Sequence, residues 1–325
     1  MMSTVGLSIR FEKNGHSTTL VDDVNLSIDS SQSVGLIGES GSGKTLTCLS
    51  LLGLIDSPLR VTGAVEFDGR AFSASDDKAF TELRGRQVAM IFQDSVSSLN
   101  PVRTIGSQLI ETIARHKPAT RHEAETGARQ LLERVGLSDT SGRMRAYPHE
   151  LSGGLCQRVM IALALCASPK LLIADEPTTA LDVTTQQHIL ALLQELVNSD
   201  GISLLFVSHD LGSIAQSVDR VIVMYGGRII ESGLTRAVFE SPRHPYTEAL
   251  IATRPTLNSI RGKPLTTIPG ATPTNPETAA GCVFAARCGV VQPRCRNERP
   301  ALDFESGHAV ACFYPRSTPP RLGAQ

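Results

Sequence analysis

The run Gly38-Glu39-Ser40-Gly41-Ser42-Gly43-Lys44-Thr45 is the part of this chain whose composition and spacing most directly imply chemistry. Three glycines let the backbone curl so that successive N–H groups point inward at one anion. An apolar run, Val34-Gly35-Leu36-Ile37, precedes it, and a second, Leu46-Thr47-Cys48-Leu49-Ser50-Leu51-Leu52, follows. That context is a buried strand, a glycine-rich turn, and a helix beginning at Gly43 or Lys44 whose positive dipole end faces the same anion. Lys44 is then placed to reach the β- and γ-phosphates of a nucleotide, and the Thr45 hydroxyl to ligate Mg²⁺. A plain Gly/Ser connector needs neither flanking element, so the run is read as binding a nucleoside triphosphate.

Two more segments bear on the same chemistry. Leu171-Leu172-Ile173-Ala174-Asp175-Glu176 places two carboxylates at the carboxyl end of an apolar strand, where ligands sit in open α/β sheets. Asp175 can hold Mg²⁺ through water, and Glu176 can polarise the water that attacks the γ-phosphate. The bland alternative is a strand that ends in solvated acids. Leu151-Ser152-Gly153-Gly154 stands at the mouth of a helix expected to begin near Leu155, where backbone donors and a serine hydroxyl make another anion site. One chain has no need of two γ-phosphate sites. Two chains facing head to tail do, each lending Ser-Gly-Gly to the nucleotide of the other.

The elements that must position these groups follow from periodicity. Residues 5–11 and 20–28 alternate apolar with polar and predict antiparallel strands. Short apolar runs at 34–38, 88–92, 171–174 and 203–207 predict buried parallel strands. Val61–Phe67 predicts a strand running into the Asp68-Gly69 turn, and 221–231 predicts a hairpin about Gly226-Gly227. Between 104 and 167 the pattern is helical, through Ile105, Leu109, Ile113 and then Ala128, Leu131, Leu132 and Val135; a further helix is expected from Thr185 to Asn198. The expected fold is α/β, with a parallel-sheet core, an antiparallel β subdomain and a mostly helical insertion near 95–160. Beyond 240 the chain is rich in proline, with an irregular connector from Pro264 to Pro276 before a cysteine-bearing tail.

Composition narrows the class. The chain has 325 residues with 41% apolar and 19% charged residues, enough for one large core and a second module. A net charge of -1 argues against nucleic acid as a partner. The start, Met1-Met2-Ser3-Thr4-Val5-Gly6, has no basic-then-apolar export signal, and apolar stretches such as Val159–Ala167 fall well short of the roughly 18 residues that span a bilayer. A cytoplasmic chain with at most peripheral membrane contact is expected, so its seven cysteines are not expected to form disulfides. Cys282, Cys288, Cys295 and Cys312 crowd the end, with five, six and sixteen residues between them. That spacing matches no short Cys-x-x-Cys zinc template. Four thiolates from an irregular segment can hold a [4Fe–4S] cluster, or the thiols can simply pack as small apolar groups.

Taken in order, these motifs resemble an ATP-binding-cassette ATPase over about residues 5–240. Gly38–Thr45 matches Walker A, Leu171–Glu176 Walker B and Leu151–Gly154 the signature motif. The resemblance implies a P-loop NTPase core with a helical signature subdomain. It further implies that Gln93 is the Q-loop glutamine, a Mg²⁺ sensor beside the transporter contact. Ala180-Leu181-Asp182 becomes the D-loop, and His209 the switch histidine that meets the γ-phosphate. Glu176, His209 and Gln93 are then the expected catalytic group, with Thr45, Gln93 and Asp175 around Mg²⁺. Leu155-Cys156-Gln157-Arg158 departs from the family, whose signature often continues with Gln directly after the glycines. No residue is assigned to stacking on adenine: Phe11 is the nearest upstream aromatic and reads equally as core.

The end of the chain narrows the branch. Arg243-His244-Pro245-Tyr246-Thr247, Ile268-Pro269-Gly270 and Gly281-Cys282-Val283-Phe284-Ala285-Ala286-Arg287-Cys288 resemble the oligopeptide/dipeptide/nickel branch of importer ATPases, so that nearly the whole chain is covered. The resemblance implies a cassette over 1–240 and an importer-type extension over 241–325, and it favours iron–sulfur over zinc at the four cysteines. It implies ATP-driven uptake of peptides, with nickel or another small solute as the alternative in the same branch. The partners it implies are a homologous ATPase subunit or a second copy, two transmembrane permease subunits and an extracytoplasmic solute-binding protein, at the cytoplasmic face of the inner membrane. A soluble cassette acting on nucleic acid or the ribosome is less well matched, since there is one cassette and no long heptad run. A nucleotide-binding scaffold without turnover would call for replacement of Glu176 or His209, and both are present.

Overall fold

The computed structural model describes residues 1–254, 267–273, 280–305 and 307–316. Of the expected connector, 264–266 and 274–276 lie outside the described residues. In chain order the elements are β1 (Met2–Lys13), β2 (His16–Val24), β3 (Ser27–Ile28), β4 (Ser33–Ile37), α1 (Lys44–Ser50), β5 (Leu59–Phe67), β6 (Arg70–Ser73), α2 (Asp77–Leu83), β7 (Val88–Ile91) and α3 (Ile105–His116). Then follow α4 (Arg121–Arg134), α5 (Thr140–Arg145), α6 (Gly153–Leu165), β8 (Leu171–Asp175), α7 (Val183–Asp200), β9 (Ser203–Val207), α8 (Leu211–Ser217), β10 (Arg220–Tyr225) and β11 (Arg228–Leu234). The last are α9 (Thr235–Glu240), α10 (Pro245–Ala252), α11 (Pro293–Asn297), β12 (Asp303–Glu305) and β13 (His308–Val310). None of the helices is long and apolar enough to cross a membrane, among the described residues.

The chain divides into two compact units. The first joins Met1–Asp29, Ser33–Asp76 and the described residues from Ser208 onward. Its N-terminal part is an antiparallel sheet of order β2-β1-β5-β6, with β3 also paired to β1. The alternation read at 5–11 is real: Leu7 and Ile9 are fully buried. β1 runs further than expected, and β2 starts at His16 because the pairing continues through the exposed Lys13–His16 end of the hairpin, but β2 ends at Val24 and the expected strand resumes only as the short β3. In its other strands β4 pairs in parallel with β10, and β10, β11, β13 and β12 follow in antiparallel steps. The tail is therefore less irregular than its prolines suggest, since β13 extends the sheet through Glu231↔Val310 and Ser232↔Ala309.

The second unit comprises Ser30–Gln32 and Asp77–Val207. It holds three parallel strands in the order β9-β8-β7. Every residue of β7, β8 and β9 is buried, and each large aliphatic side chain taken out of water contributes about 1.5–3 kcal/mol. That explains why these strands read as unbroken apolar runs rather than alternating ones. The helical insertion is α3 to α6. Thr104 caps α3 by accepting from the Ser107 amide, and Thr120 and Glu123 close a reciprocal capping box at α4. Ile105, Leu109 and Ile113 on α3, and Ala124, Ala128 and Leu132 on α4, recur every four residues and are buried, as an amphipathic helix requires.

In the first unit, β4 leads directly into Gly38. Its φ is +152°, and a Cβ built there would lie 2.2 Å from the main-chain oxygen of Met224 in β10. A side chain at this point meets backbone, which cannot move without breaking the β4–β10 pair. We expect Gly38→Ala to fold with a lowered thermal midpoint and a displaced 38–45 loop, the first read by calorimetry and the second by amide exchange across that segment. A variant as stable as the parent would show that the close approach is not required.

Candidate functional site

The glycine-rich loop belongs to the first unit. Gly41 and Gly43 have φ of +79° and +98°, and Gly43 is the left-handed residue from which α1 starts, as expected from the sequence. Thr47 ties the turn down by donating its hydroxyl to Gly43 O at 2.9 Å. Ser42 is buried and its carbonyl accepts from the Gly227 amide at 3.1 Å. Lys44 is only 7% exposed. Its Nζ donates to the carbonyls of Gly38 at 2.8 Å and Glu39 at 3.0 Å. Ser40, Gly41 and Thr45 are exposed, so the outer face of the loop is open. The loop thus closes on a buried ammonium held by its own carbonyls and is open on one side. His209 lies in the same unit, exposed, in a turn fixed by Asp210. The Asp210 amide donates to Ser208 Oγ at 3.0 Å, and its carboxylate accepts from Gly212 and Ser213 N–H at the start of α8. Phe11 is half-buried in β1, opposite Thr18 and Leu59.

The second unit gathers the acids and the Ser-Gly-Gly motif. Asp175 is the last residue of β8 and is 2% exposed. Glu176 follows in a left-handed conformation, φ +48°. Its amide donates to Val207 O at 2.9 Å, which continues the β8–β9 ladder by one bond. Its Oε2 accepts from Gln93 Nε2 at 2.9 Å and from Thr179 Oγ1 at 2.9 Å. Two expected catalytic residues are thus in direct contact. Gln93 stands two residues beyond β7 and is exposed.

Asp182 caps α7, accepting from the Thr185 amide at 2.9 Å and the Thr185 hydroxyl at 2.7 Å. Those bonds hold its carboxyl below the usual range. The Ser-Gly-Gly motif meets this turn, since a Cβ at Gly154 would lie 2.5 Å from Thr185 Cγ2. The helix after it begins at Gly153, two residues sooner than expected, with Ser152 as its N-terminal cap. Ser152 makes no side-chain bond to that helix, and it and Gly153 are exposed. Its hydroxyl is therefore not spent on capping. Leu155, which stands where the family often has Gln, is half-buried, and buried Cys156 after it donates Sγ–H to Pro148 O at 3.5 Å.

The four tail cysteines line one cavity in the first unit, together with His244 and Phe284. Burial pushes Cys282 up to about 11, and neighbouring Cys312, Cys295 and Cys288 add to it. Cys288 and Cys312 are raised by burial as well. The convergence matches the expectation of a shared centre, but the arrangement does not: among the described residues no group of three or more His, Cys, Asp or Glu side chains could hold a metal ion. The iron–sulfur cluster therefore has no support from this geometry. The Arg243–Thr247 and Gly281–Cys288 runs, read above only as branch markers, meet the loop itself. Tyr246 accepts from the Glu39 amide at 2.8 Å, and Arg287 pairs with the Glu39 carboxylate at 2.6 Å.

Comparison with known proteins agrees with this layout. Residues 21–179 match the ABC transporter family, and residues 230–295 match the oligopeptide/dipeptide transporter C-terminal region. The dipeptide transport ATP-binding protein DppD of Escherichia coli is 42% identical over 311 residues, covering 95% of each chain. A putative peptide import ATP-binding protein of Brucella melitensis is 42% identical over 323 residues, covering 99% of this chain and 95% of that one. Among solved structures, an ATP-binding cassette in a dimeric, post-hydrolysis state with ADP and Pi superposes with a TM-score of 0.65 at 26% identity, covering 73% of this chain and 99% of that chain. The chain belongs to the ABC transporter family, among its ATP-binding proteins that carry the oligopeptide/dipeptide transporter C-terminal region.

Proposed function

We propose that this chain is the ATPase subunit of an importer that takes up di- or oligopeptides. The observation that carries the hydrolytic part is the Glu176 carboxylate, held at the end of β8 by Gln93 and Thr179. The transported class rests on relatives named for dipeptide transport and peptide import.

Gly38–Thr45 binds the phosphates through its amides, and Lys44 exchanges neutral carbonyl partners for charged oxygens, which are stronger acceptors. The Thr45 hydroxyl, the Asp175 carboxylate and the Gln93 amide carbonyl each offer an oxygen donor, the kind that suits Mg²⁺. When bound, Mg²⁺ neutralises charge on the β- and γ-phosphates. Glu176 accepts a proton from the attacking water and orients it; Gln93, bonded to the same carboxylate, links that step to the neighbouring chain. His209 donates to the γ-phosphate.

Ser152, Gly153, Gly154 and Asp182 serve a nucleotide held by another subunit, a second copy or a homologous chain, a reading supported by an exposed Ser152 that is not spent on capping. Residues 1–240 then act as the cassette and 241–325 as its extension, peripheral at the cytoplasmic face of the inner membrane. Two permease subunits carry the solute that an extracytoplasmic binding protein delivers. The finer assignment of a [4Fe–4S] cluster to Cys282, Cys288, Cys295 and Cys312 rests on the resemblance to the importer branch alone; the four thiols line one cavity but form no metal-holding group among the described residues.

Lys44→Ala is expected to abolish ATP binding, while Glu176→Gln keeps it and lowers kcat by about 10²- to 10⁴-fold, the range of a lost general base. Equilibrium binding and steady-state hydrolysis separate the two, and normal turnover by Glu176→Gln would remove that residue from the chemistry. Mixing Ser152→Ala with Lys44→Ala tests the shared site: each subunit pair then keeps at most one complete site, so hydrolysis should partly recover. Full activity of a dilute, verified monomer would refute it. For the tail, anaerobic purification with iron and sulfide assays decides between the two readings: a brown protein with both in equal amounts would establish the cluster, and a colourless, iron-free protein would leave the thiols merely packed.

A further inference from the structure

The phosphate loop is gripped a second time, by residues far away in sequence but within the same unit. Arg287 Nη1 donates to Glu39 Oε2 at 2.6 Å and Nη2 donates to Oε1 at 3.0 Å, a two-pronged pairing. Thr272 Oγ1 also donates to Oε2, at 2.6 Å. On the main chain of the same residue, the amide donates to Tyr246 and the carbonyl accepts from Lys44. The Arg287 side chain is 6% exposed, and its remaining donors are all used. They reach Pro269 O at 2.8 Å, Ile268 O at 2.9 Å and the Tyr225 hydroxyl at 3.1 Å. Burial by itself pushes the Glu39 carboxyl up, yet the bonds from Arg287 and Thr272, with the charges of Arg287 and Lys44, outweigh it and hold the group below its usual range.

A buried ion pair is a poor source of stability, because desolvation consumes most of what attraction supplies. What such a pair does supply is geometry. Here it fixes Glu39, whose carbonyl is one of the acceptors that hold the Lys44 ammonium. Arg287 is also joined directly to Cys288, and the stretch Gly281–Cys288 begins beside Cys282, so two of the four clustered thiols and the guanidinium share one short segment. Any rearrangement of that segment must either move Arg287 or break its bonds to Glu39.

We infer that Arg287 is a positioning residue for nucleotide binding, which sets the phosphate loop through Glu39 and thereby couples the thiol-bearing segment 281–288 to the nucleotide site. The inference rests on the reading of Gly38–Thr45 as the phosphate-binding loop. Coupling between two sites is reciprocal, so nucleotide must steady segment 281–288 as much as that segment steadies the loop.

The test uses the full chain with Mg-ATP, and the variants Arg287→Lys, Glu39→Gln and both together. Each single change should raise the Kd for ATP roughly five- to a hundredfold, the usual span of such couplings, and raise KM more than it lowers kcat. The double variant should be no worse than the poorer single one. Amide exchange of 281–288 should slow on adding ATP in the parent and not in Arg287→Lys. Glu39→Gln, nearly isosteric, serves if Arg287→Lys fails to fold. A parent that binds ATP alongside variants of equal affinity, or exchange in 281–288 that ignores nucleotide, would overturn this inference alone. A parent that binds no ATP would overturn the reading of the loop, and this inference with it.

Discussion

A buried ammonium has to find acceptors, and Lys44 finds them in the loop it closes. With 7% exposure it cannot rely on water, and an unpaired charge in such a place is prohibitively costly. The carbonyls of Gly38 and Glu39 take that role at 2.8 and 3.0 Å, and this requirement shapes much of the first unit. Both carbonyls face inward only if the chain turns sharply as it leaves β4, which is why position 38 tolerates no Cβ against Met224. The loop must then return to a helix within a few residues, which Gly43 permits through its positive φ. Neutral carbonyls are adequate partners for an ammonium but weaker ones than a phosphate oxygen. The loop therefore keeps its buried charge satisfied with its own carbonyls.

The second unit meets a different demand, which is to aim a carboxylate from the end of a strand. Glu176 does so in the left-handed region, at a cost of roughly 1–2 kcal/mol for a residue with a side chain. Two fixed points hold it there. Its amide completes one more rung against Val207, and the next turn closes with the Thr179 amide donating to Glu176 O at 3.1 Å. With the backbone bent in this way the side chain leaves the strand direction and meets Gln93 and Thr179. Had Glu176 continued the strand, its side chain would have joined one face of the sheet instead. Ala180, φ +63°, makes a second such bend four residues later and delivers Asp182 to the start of α7.

Legibility from sequence followed how local the cause of each feature was. β4, β8 and β9 are buried on both faces, so each appears as an apolar run that composition alone reveals. The glycine spacing of 38–45 is visible because the chemistry there belongs to the backbone, and glycine is its only sequence trace. β12 and β13 escaped, being three residues each with the polar sequence Asp303-Phe304-Glu305 and the mixed His308-Ala309-Val310. What creates β13 is the edge of β11, and His308 adds a bond to buried Glu231 at 2.7 Å. The early start of α6 escaped for a related reason: glycine is a weak helix former, and only the packing of Gly154 against Thr185 shows why it is used there. Cysteine spacing correctly marked a cluster without revealing its arrangement.

The Glu39–Arg287 pair was invisible for the strongest form of this reason. Its members are 248 residues apart, and nothing in the local pattern of either one distinguishes it from a solvated surface charge. Tertiary packing supplies the meeting point. The rings of Tyr225, Tyr246 and Phe284 lie 4.5 to 5.4 Å apart, centre to centre, in tilted and edge-on arrangements, the geometries that aromatic quadrupoles favour. Tyr225 ends β10, Tyr246 belongs to α10, and Phe284 lies on the cysteine-bearing segment, so three separate stretches meet in one apolar knot. Tyr246, a member of that knot, and Arg287, which lies over the Tyr225 ring, both end on Glu39. The extension is therefore built into the support of the loop rather than appended to a finished cassette. A glycine-rich loop has little stiffness of its own, and in this chain part of the stiffness it needs comes from residues that follow it by more than two hundred positions.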